Sequence, residues 1–338
     1  PAPGLTGATP PSGTLLESAM TAPPTAGRAS RSDTNGTAAS GSPPRRSRRR
    51  TDPAGPALVL PFALLFALFL LWPLAAGLWT SFTDRSLVGT APQFTGLDNW
   101  AEMVADPMVW RSLWTTLLFT LMTTPPLVAV ALLMAVLTQR AVRVGWFLRF
   151  SFFSPFLLPV AVVSLIWVWI YQPGFGMLNG VLTGLGLPEV NWLGDENTVL
   201  ASIALTTVWW TVGFNYLLYL AALQGIPSQV YEAASLDGAG AWQRFRSVTL
   251  PLLNRTTAIV VLLQMVASLK LFDQAYLMTN GSGGPDYAAR PIIGYIFDSG
   301  FTNLRIGYGS AISYLFFAVI IAVSALQFWL FTRKENTA

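Results

Sequence analysis

No cysteine and no histidine occur among the 338 residues, and only 11% of the chain is charged. Those absences remove disulfide frameworks, Cys/His zinc sites, Ser-His-Asp triads and imidazole acid–base chemistry, so most enzyme readings lose their usual residues. A soluble domain of ordinary composition is also excluded. Hydrophobic residues make up 53% of the chain and its mean hydropathy is +0.51, which points to a bilayer. The formal charge of +4 comes largely from one run, Arg45, Arg46, Arg48, Arg49 and Arg50. It describes a segment and not a surface field, so nucleic-acid binding is not implied.

Residues 1–52 are rich in Pro, Gly, Ser, Thr and Ala and nearly lack large apolar side chains. Such a segment cannot bury enough surface to offset its ordering entropy, and a disordered, basic N-terminal tail is expected. The apolar stretch after Arg50 is longer than a signal-peptide core and no convincing A-x-A site follows, so an uncleaved first helix is expected.

Charges are missing from Pro53 to Thr83, Ser112 to Gln139, Phe150 to Pro188 and Asn197 to Tyr231. Each window can hold a helix of about 20 residues, enough for roughly 30 Å of hydrocarbon. With two more near the C-terminus, spans are expected at 56–82, 112–138, 150–171, 199–225, 252–276 and 307–331, forming a membrane domain over 53–338. The fold class is all-α with six transmembrane helices. Arginine and lysine concentrate in the tail, in the second loop (Arg140, Arg143, Arg149), in the fourth loop (Arg244, Arg246, Arg255) and at Arg333 and Lys334. By the positive-inside rule these segments are cytoplasmic, with both termini inside. Trp79, Trp100, Trp110, Trp146, Trp192 and Trp329 fall near span boundaries and read as interfacial anchors.

The fourth loop, 227–251, is more organised than a turn. Ser228 can cap a short helix running to Leu236, Gly238 can take positive φ at its stop, a second helix fits Ala241 to Val248, and Pro251 punctuates the start of the fifth span. Small alanines and an apolar rim suit docking into another protein's groove. An interfacial helix lying on lipid fits the same composition.

The spacing here resembles a known signature. Glu232-Ala233-Ala234, then Gly238, then Val248, Leu250 and Pro251 match the motif of ABC importer membrane subunits, with valine where isoleucine is usual. Phe272-Asp273, Thr279-Asn280-Gly281, Gly283-Gly284-Pro285 and Gly307 to Ala311 resemble the carbohydrate-uptake branch, particularly its maltose-transporter-like first permease. The likeness covers most of 56–335 and leaves out the tail. It implies a type I importer permease fold in a bacterial inner membrane, paired with a second permease, an ABC ATPase dimer, and an external solute-binding protein, free or anchored as a lipoprotein. It implies that Glu232, Ala233, Ala234, Asp237, Gly238, Leu250 and Pro251 couple to the ATPase and are not catalytic. ATP and magnesium would be held by the partner subunits, with no cofactor on this chain; no G-x-x-x-x-G-K-[ST] phosphate loop occurs in the sequence.

A sugar site needs hydroxyl and amide partners plus an aromatic face, away from lipid. Thr207, Trp210, Thr211 and Phe214 recur on one face of the fourth span, with Asn215 and Tyr219 close by, and Gln264 and Ser268 share a face of the fifth. By resemblance, Thr207, Trp210, Thr211, Phe214, Gln264 and Ser268 match sugar-contacting positions of the maltose-type permease. The identities differ from that permease at several of them. Packing is the competing reading of the same residues. Lys270 is a further candidate contact, although an i, i+3 pair with Asp273 would neutralise it. The stretch Thr279 to Pro285 reads as an outer turn.

A di- or oligosaccharide is the expected cargo, with a glycerol-phosphate-type solute as an alternative. An ion-coupled carrier would need intramembrane carboxylates, and only Asp273 is a candidate.

Overall fold

The computed structural model describes residues 54–89, 91–139 and 145–335; the expected disordered tail, its arginine run, and Arg140 and Arg143 lie outside the described residues. The first window folds as α1 (Ala54–Phe66), a wide π turn (Ala67–Leu71) and α2 (Trp72–Thr80). Pro73 has no N–H to give to the Phe69 carbonyl, and the widened turn sits where that bond is missing. Every side chain from Leu58 to Ala76 is exposed, an arrangement suited to hydrocarbon and unsuited to water.

A short helix α3 (Asp98–Ala105) precedes α4 (Pro107–Thr138), whose first turn is capped by Asp106 accepting from the Met108 N–H at 2.8 Å. Pro125 and Pro126 leave two carbonyls of α4 without intrahelical donors, yet the helix runs on. Thr116, Thr120 and Thr123 donate to carbonyls one turn back, so their hydroxyls are satisfied away from water.

The third span differs from expectation. α5 (Gly145–Phe153) passes through a 3₁₀ turn (Ser154–Leu157), and Pro159 holds Leu158 extended at φ −75°, ψ 139°. α6 (Val160–Ile170) leaves at 96° to the preceding helix. The single helix expected over 150–171 is therefore a bent pair. α7 (Met177–Gly184) follows, and its buried Asn179 pins the next loop through bonds to Val190 and from the Trp192 indole. Trp192 also packs on Tyr171 with ring centroids 5.7 Å apart, and Trp100 donates to Ser81, so these two half-buried rings are tied into the fold.

α8 (Val199–Gln224) is the fourth span. The next helices are α9 (Ser228–Leu236), α10 (Ala241–Arg244) and, beyond a wide turn at Phe245–Thr249, α11 (Leu250–Leu252). A 63° bend at Leu253 leads into α12 (Asn254–Leu269). Pro251 thus does not stop the second loop helix at Val248; the chain stays helical through it and turns two residues later. α12 ends at Leu269, short of the expected 276, and a separate α13 (Asp273–Met278) completes the window. α14 (Ile292–Phe297) and a wide turn (Asp298–Thr302) lead to α15 (Ile306–Glu335).

Among the described residues four stretches, Leu58–Thr80, Pro107–Thr138, Val199–Gln224 and Ile306–Phe331, are long and apolar enough to cross a membrane, and counting each of the two bent pairs as one span gives six. Three apolar clusters hold the bundle, and α4 contributes to each: Phe119 packs with Val163, Tyr171 and Ile203; Val109 and Leu113 with Ile292 and Ile312; Ala131 and Ala135 with Tyr216, Tyr219 and Leu253. Close approach is allowed by Gly213, where an added Cβ would strike the Phe152 carbonyl.

Candidate binding cavity and docking surface

Thr207, Trp210, Thr211, Phe214 and Asn215 of α8 and Gln264 and Ser268 of α12 line one cavity of about 400 Å³, together with Lys270. All eight residues expected at a ligand site are therefore in one place. Tyr219 is not among them; it is fully buried in the apolar cluster with Tyr216. The close pass at Gly213 sets the bend of the third span against α8, and Phe156 from that bend stacks on Phe214 at 5.3 Å and tilts against Trp210 at 6.3 Å. The result is an aromatic wall beside an amide-lined one.

The polar wall is a chain of bonds. Asn215 Nδ2 donates to Gln264 Oε1 at 3.2 Å, Gln264 Nε2 donates to Ser268 Oγ at 3.3 Å, and Ser268 Oγ lies 3.1 Å from Thr123 Oγ1. Asn215, Gln264 and Ser268 are 1%, 7% and 3% exposed, so this chain satisfies amides that would be costly alone. The Thr207 and Thr211 hydroxyls bond back to carbonyls of α8.

The sequence reading places Lys270 and Asp273 one helical step apart, and the structure removes that step. α12 stops at Leu269, Phe272 takes φ −151° and ψ −70°, and α13 begins at Asp273. Both charges are exposed on the cavity wall. The ion pairs found among the described residues are Arg111–Asp286, Arg290–Asp298 and Arg305–Glu102, and do not include this one. Lys270 follows the last turn of α12 and Asp273 starts α13, so each complements the partial charge of its own helix end.

Sequence reasoning missed Phe119, Phe156 and Gln274 on this wall. Gln274 carried the same signal as Gln264, an amide within an apolar run. It is 4% exposed, and its Oε1 lies 2.6 Å from Thr207 Oγ1.

At the far end of α8, the fourth loop forms a helical hairpin. Pro227, not Ser228, is the N-cap of α9, and Ser228 makes no capping bond. The C-terminus closes as expected: Gly238 has φ +78°, its N–H donates to the Ser235 carbonyl at 3.1 Å, and the Ala239 N–H donates to the Ala234 carbonyl at 3.0 Å. That pair of bonds is a Schellman motif. Arg244 Nη1 holds Ser235 Oγ at 2.8 Å, and Tyr231 and Thr249 hydroxyls meet at 3.2 Å, fastening α9 to the following helix. Glu232, Ala233, Asp237, Leu250 and Pro251 are exposed and Ala234 is half-buried. Leu236 is 90% and Trp242 71% exposed, an apolar rim open to a partner. Glu232 borders a recess of about 330 Å³ with Gln139, Tyr231 and Arg244.

The opposite end of the bundle is clamped by charge. Asp106 Oδ2 accepts from Tyr295 and Tyr308 at 2.5 and 2.6 Å, and Arg305 grips Glu102 with bonds of 2.7 and 2.6 Å. Burial pushes the Asp106 carboxyl up, but the hydrogen bonds from Tyr295, Tyr308 and the Met108 N–H outweigh it and hold the group below its ordinary value. Glu102 is likewise lowered, chiefly by its hydrogen bond with Arg305. The stretch expected as an outer turn carries positive φ at Asn280, Gly281, Gly283 and Gly284, and its residues line an open recess of about 440 Å³.

Among the described residues no group of three or more Asp or Glu side chains is placed to hold a metal ion. A family model described as binding-protein-dependent transport system inner membrane component matches residues 100–336. The sulfoquinovosyl glycerol transport system permease protein SmoG of Agrobacterium fabrum is 35% identical over 279 residues, covering 82% of this chain and 90% of that protein. The diacetylchitobiose uptake system permease protein NgcF of Streptomyces coelicolor is 32% identical over 285 residues, 80% of each. The fold is similar to a chain of a bacterial alginate ABC transporter crystallised with an alginate pentasaccharide-bound periplasmic protein, at TM-score 0.67 and 21% identity over 82% of this chain and 93% of that one.

Proposed function

The chain belongs to the family of binding-protein-dependent transport system inner membrane components, and from that premise we propose that it forms, with a second permease, the path by which a di- or oligosaccharide enters the cell. An external binding protein delivers the sugar. A pair of separate ATPase subunits drives the cycle, holding the ATP and magnesium, so this chain performs no chemistry of its own. The hairpin at 227–251 and both termini lie on the ATPase side. The cargo follows from its relatives, which are named for sulfoquinovosyl glycerol and diacetylchitobiose; a glycerol-phosphate-type solute is the alternative cargo.

One observation carries the reading: the docking hairpin and the cavity are joined by helix. From Ala241 the chain stays helical through Leu252, bends at Leu253, and continues as α12 to Leu269, where it breaks against the cavity at Lys270. A push on α9 and α10 therefore has a short path, bent once at Leu253, to the residues around the cargo, which is what coupling closure of an ATPase to transport requires.

Affinity purification of the chain from its native membrane tests this. A co-purifying ABC ATPase and second permease are expected, in equal amounts of the two permeases. Recovery of the chain as a homo-oligomer with full uptake activity and no ATPase would overturn the proposal.

A further inference from the structure

The connection between the third and fourth spans folds into a closed knob around α7. Its polar groups are turned inward. Asn179 is fully buried; it donates to the Gln172 and Val190 carbonyls and accepts from the Val190 N–H and the Trp192 indole. Gly186, at φ +75°, ends α7 in a second Schellman motif, with the Leu187 N–H on the Leu182 carbonyl at 2.9 Å and its own N–H on Thr183 at 3.0 Å. The base is closed by the Gly174 N–H, which donates to the Glu189 carboxylate at 3.0 Å. What faces outward is apolar: Phe175, Met177, Val181, Leu185 and Leu187 are 51% to 71% exposed, and no charge occurs from Phe150 to Pro188. An ordered face of this kind calls for an apolar surrounding.

Two relationships place that face at the edge of the hydrocarbon. The Thr198 and Ser202 hydroxyls donate to the Trp192 carbonyl at 3.1 and 3.0 Å, so the knob is fastened to the first turn of α8. α8 has 26 residues, a length of about 39 Å against about 30 Å of hydrocarbon, and its first turn therefore lies at the boundary. The knob also continues the exposed stripe of α6. Val162, Leu165 and Trp169 follow at steps of three and four and are exposed, and Phe175 meets Trp169 edge to face with ring centroids 6.1 Å apart.

We propose that this knob is an interfacial anchor, with Phe175, Met177, Val181 and Leu185 set among the acyl chains of the outer leaflet. Loop charges alone make the segment a water-exposed connection; the structure gives it a membrane-facing side. Gln172, Leu193 and Gly194 line the outer recess of about 440 Å³, so the anchor holds one wall of that recess at the membrane surface. A protein that docks and leaves would return the apolar face to water at each release, and transient interfaces are no more apolar than the surface around them. The anchor goes beyond the importer reading, which supplies only the choice of leaflet.

The chain has no cysteine, so a single introduced thiol carries a spin label at a chosen place. Met177→Cys and Val181→Cys are assembled into the complete complex in lipid vesicles. Leu165→Cys on the exposed stripe of α6 and Glu196→Cys in the exposed loop beyond serve as references, and the unaltered complex, treated alike, gives the background from the other subunits. Collision of each label with oxygen, which concentrates in hydrocarbon, and with a water-soluble nickel chelate present on both sides of the vesicle is measured. The oxygen-to-nickel ratio at Met177→Cys and Val181→Cys is expected to match Leu165→Cys and to exceed Glu196→Cys severalfold, with or without binding protein. Leu185→Cys gives the same readout where either variant fails to assemble. Ratios equal to that of Glu196→Cys would show a knob in water, and protection from both reagents would show one covered by protein such as the second permease. Either result would overturn the inference and leave sugar import standing.

Discussion

Asn215 on α8 and Gln264 on α12 are joined by a side-chain hydrogen bond of 3.2 Å, and both residues are at least nine-tenths buried. The bond ties two walls of the cavity together. Such amide links stabilise helix pairs in membranes by a modest amount, but an orphaned partner is costly.

Gln264→Leu alone is therefore expected to destabilise the complex by about 1–3 kcal/mol, because Asn215 is left with a buried unpaired amide. Asn215→Leu with Gln264→Leu should cost less than the sum of the single changes. Thermal unfolding of the detergent-solubilised complex gives the cycle; strict additivity would show that the two amides do not depend on each other.

Gly238 sits at φ +78° with nothing within 4 Å of the position a Cβ would take. Space is not the constraint there; backbone handedness is. Gly238→Val should cost roughly 1–2 kcal/mol through the left-handed conformation, and Gly238→Asn much less. Retention of the ATPase during purification should fall in the same order, while membrane insertion is unchanged. Equal retention by the valine and asparagine variants would show that the Schellman closure does not shape the docking hairpin.

The Asp106 and Glu102 carboxyls lie below their ordinary values of 3.8 and 4.5. A carboxyl lowered by folding adds stability that is complete above its unfolded value and is lost as pH falls through the folded one. The clamp on α15 should thus hold at neutral pH and weaken below about pH 4. Asp106→Asn should lower the thermal midpoint at pH 7 and flatten its decline on acidification, since asparagine keeps the helix cap but not two tyrosine bonds to a carboxylate. An unchanged acid slope in that variant would remove Asp106 from the account.

Much of this was legible in the residues. Charge-free windows located the long helices Leu58–Thr80, Pro107–Thr138, Val199–Gln224 and Ile306–Phe331, and the 3.6-residue period placed Thr207, Trp210, Thr211 and Phe214 on a face that the structure turns to one cavity. The stop in the third span was written in Pro159, but an apolar window alone hides it. The break at Lys270 has no local mark: neither glycine nor proline lies between Ala267 and Phe272. Leu269 and Leu271 are both buried, in different clusters, and a continuous helix would not deliver the two to those places. Tertiary packing decides there, and it also brings Gln274 to the wall.

The most direct test of the account joins the hairpin to the cavity in one assay. Vesicles holding the complete complex, with ATP inside and loaded binding protein outside, are compared for the unaltered chain and for Glu232→Lys, an exposed position on α9. The account predicts ATP-dependent sugar accumulation by the first and none by the second, with the permease pair still assembled in both. Accumulation by Glu232→Lys at the unaltered rate, or uptake driven by an ion gradient without ATP, would contradict it.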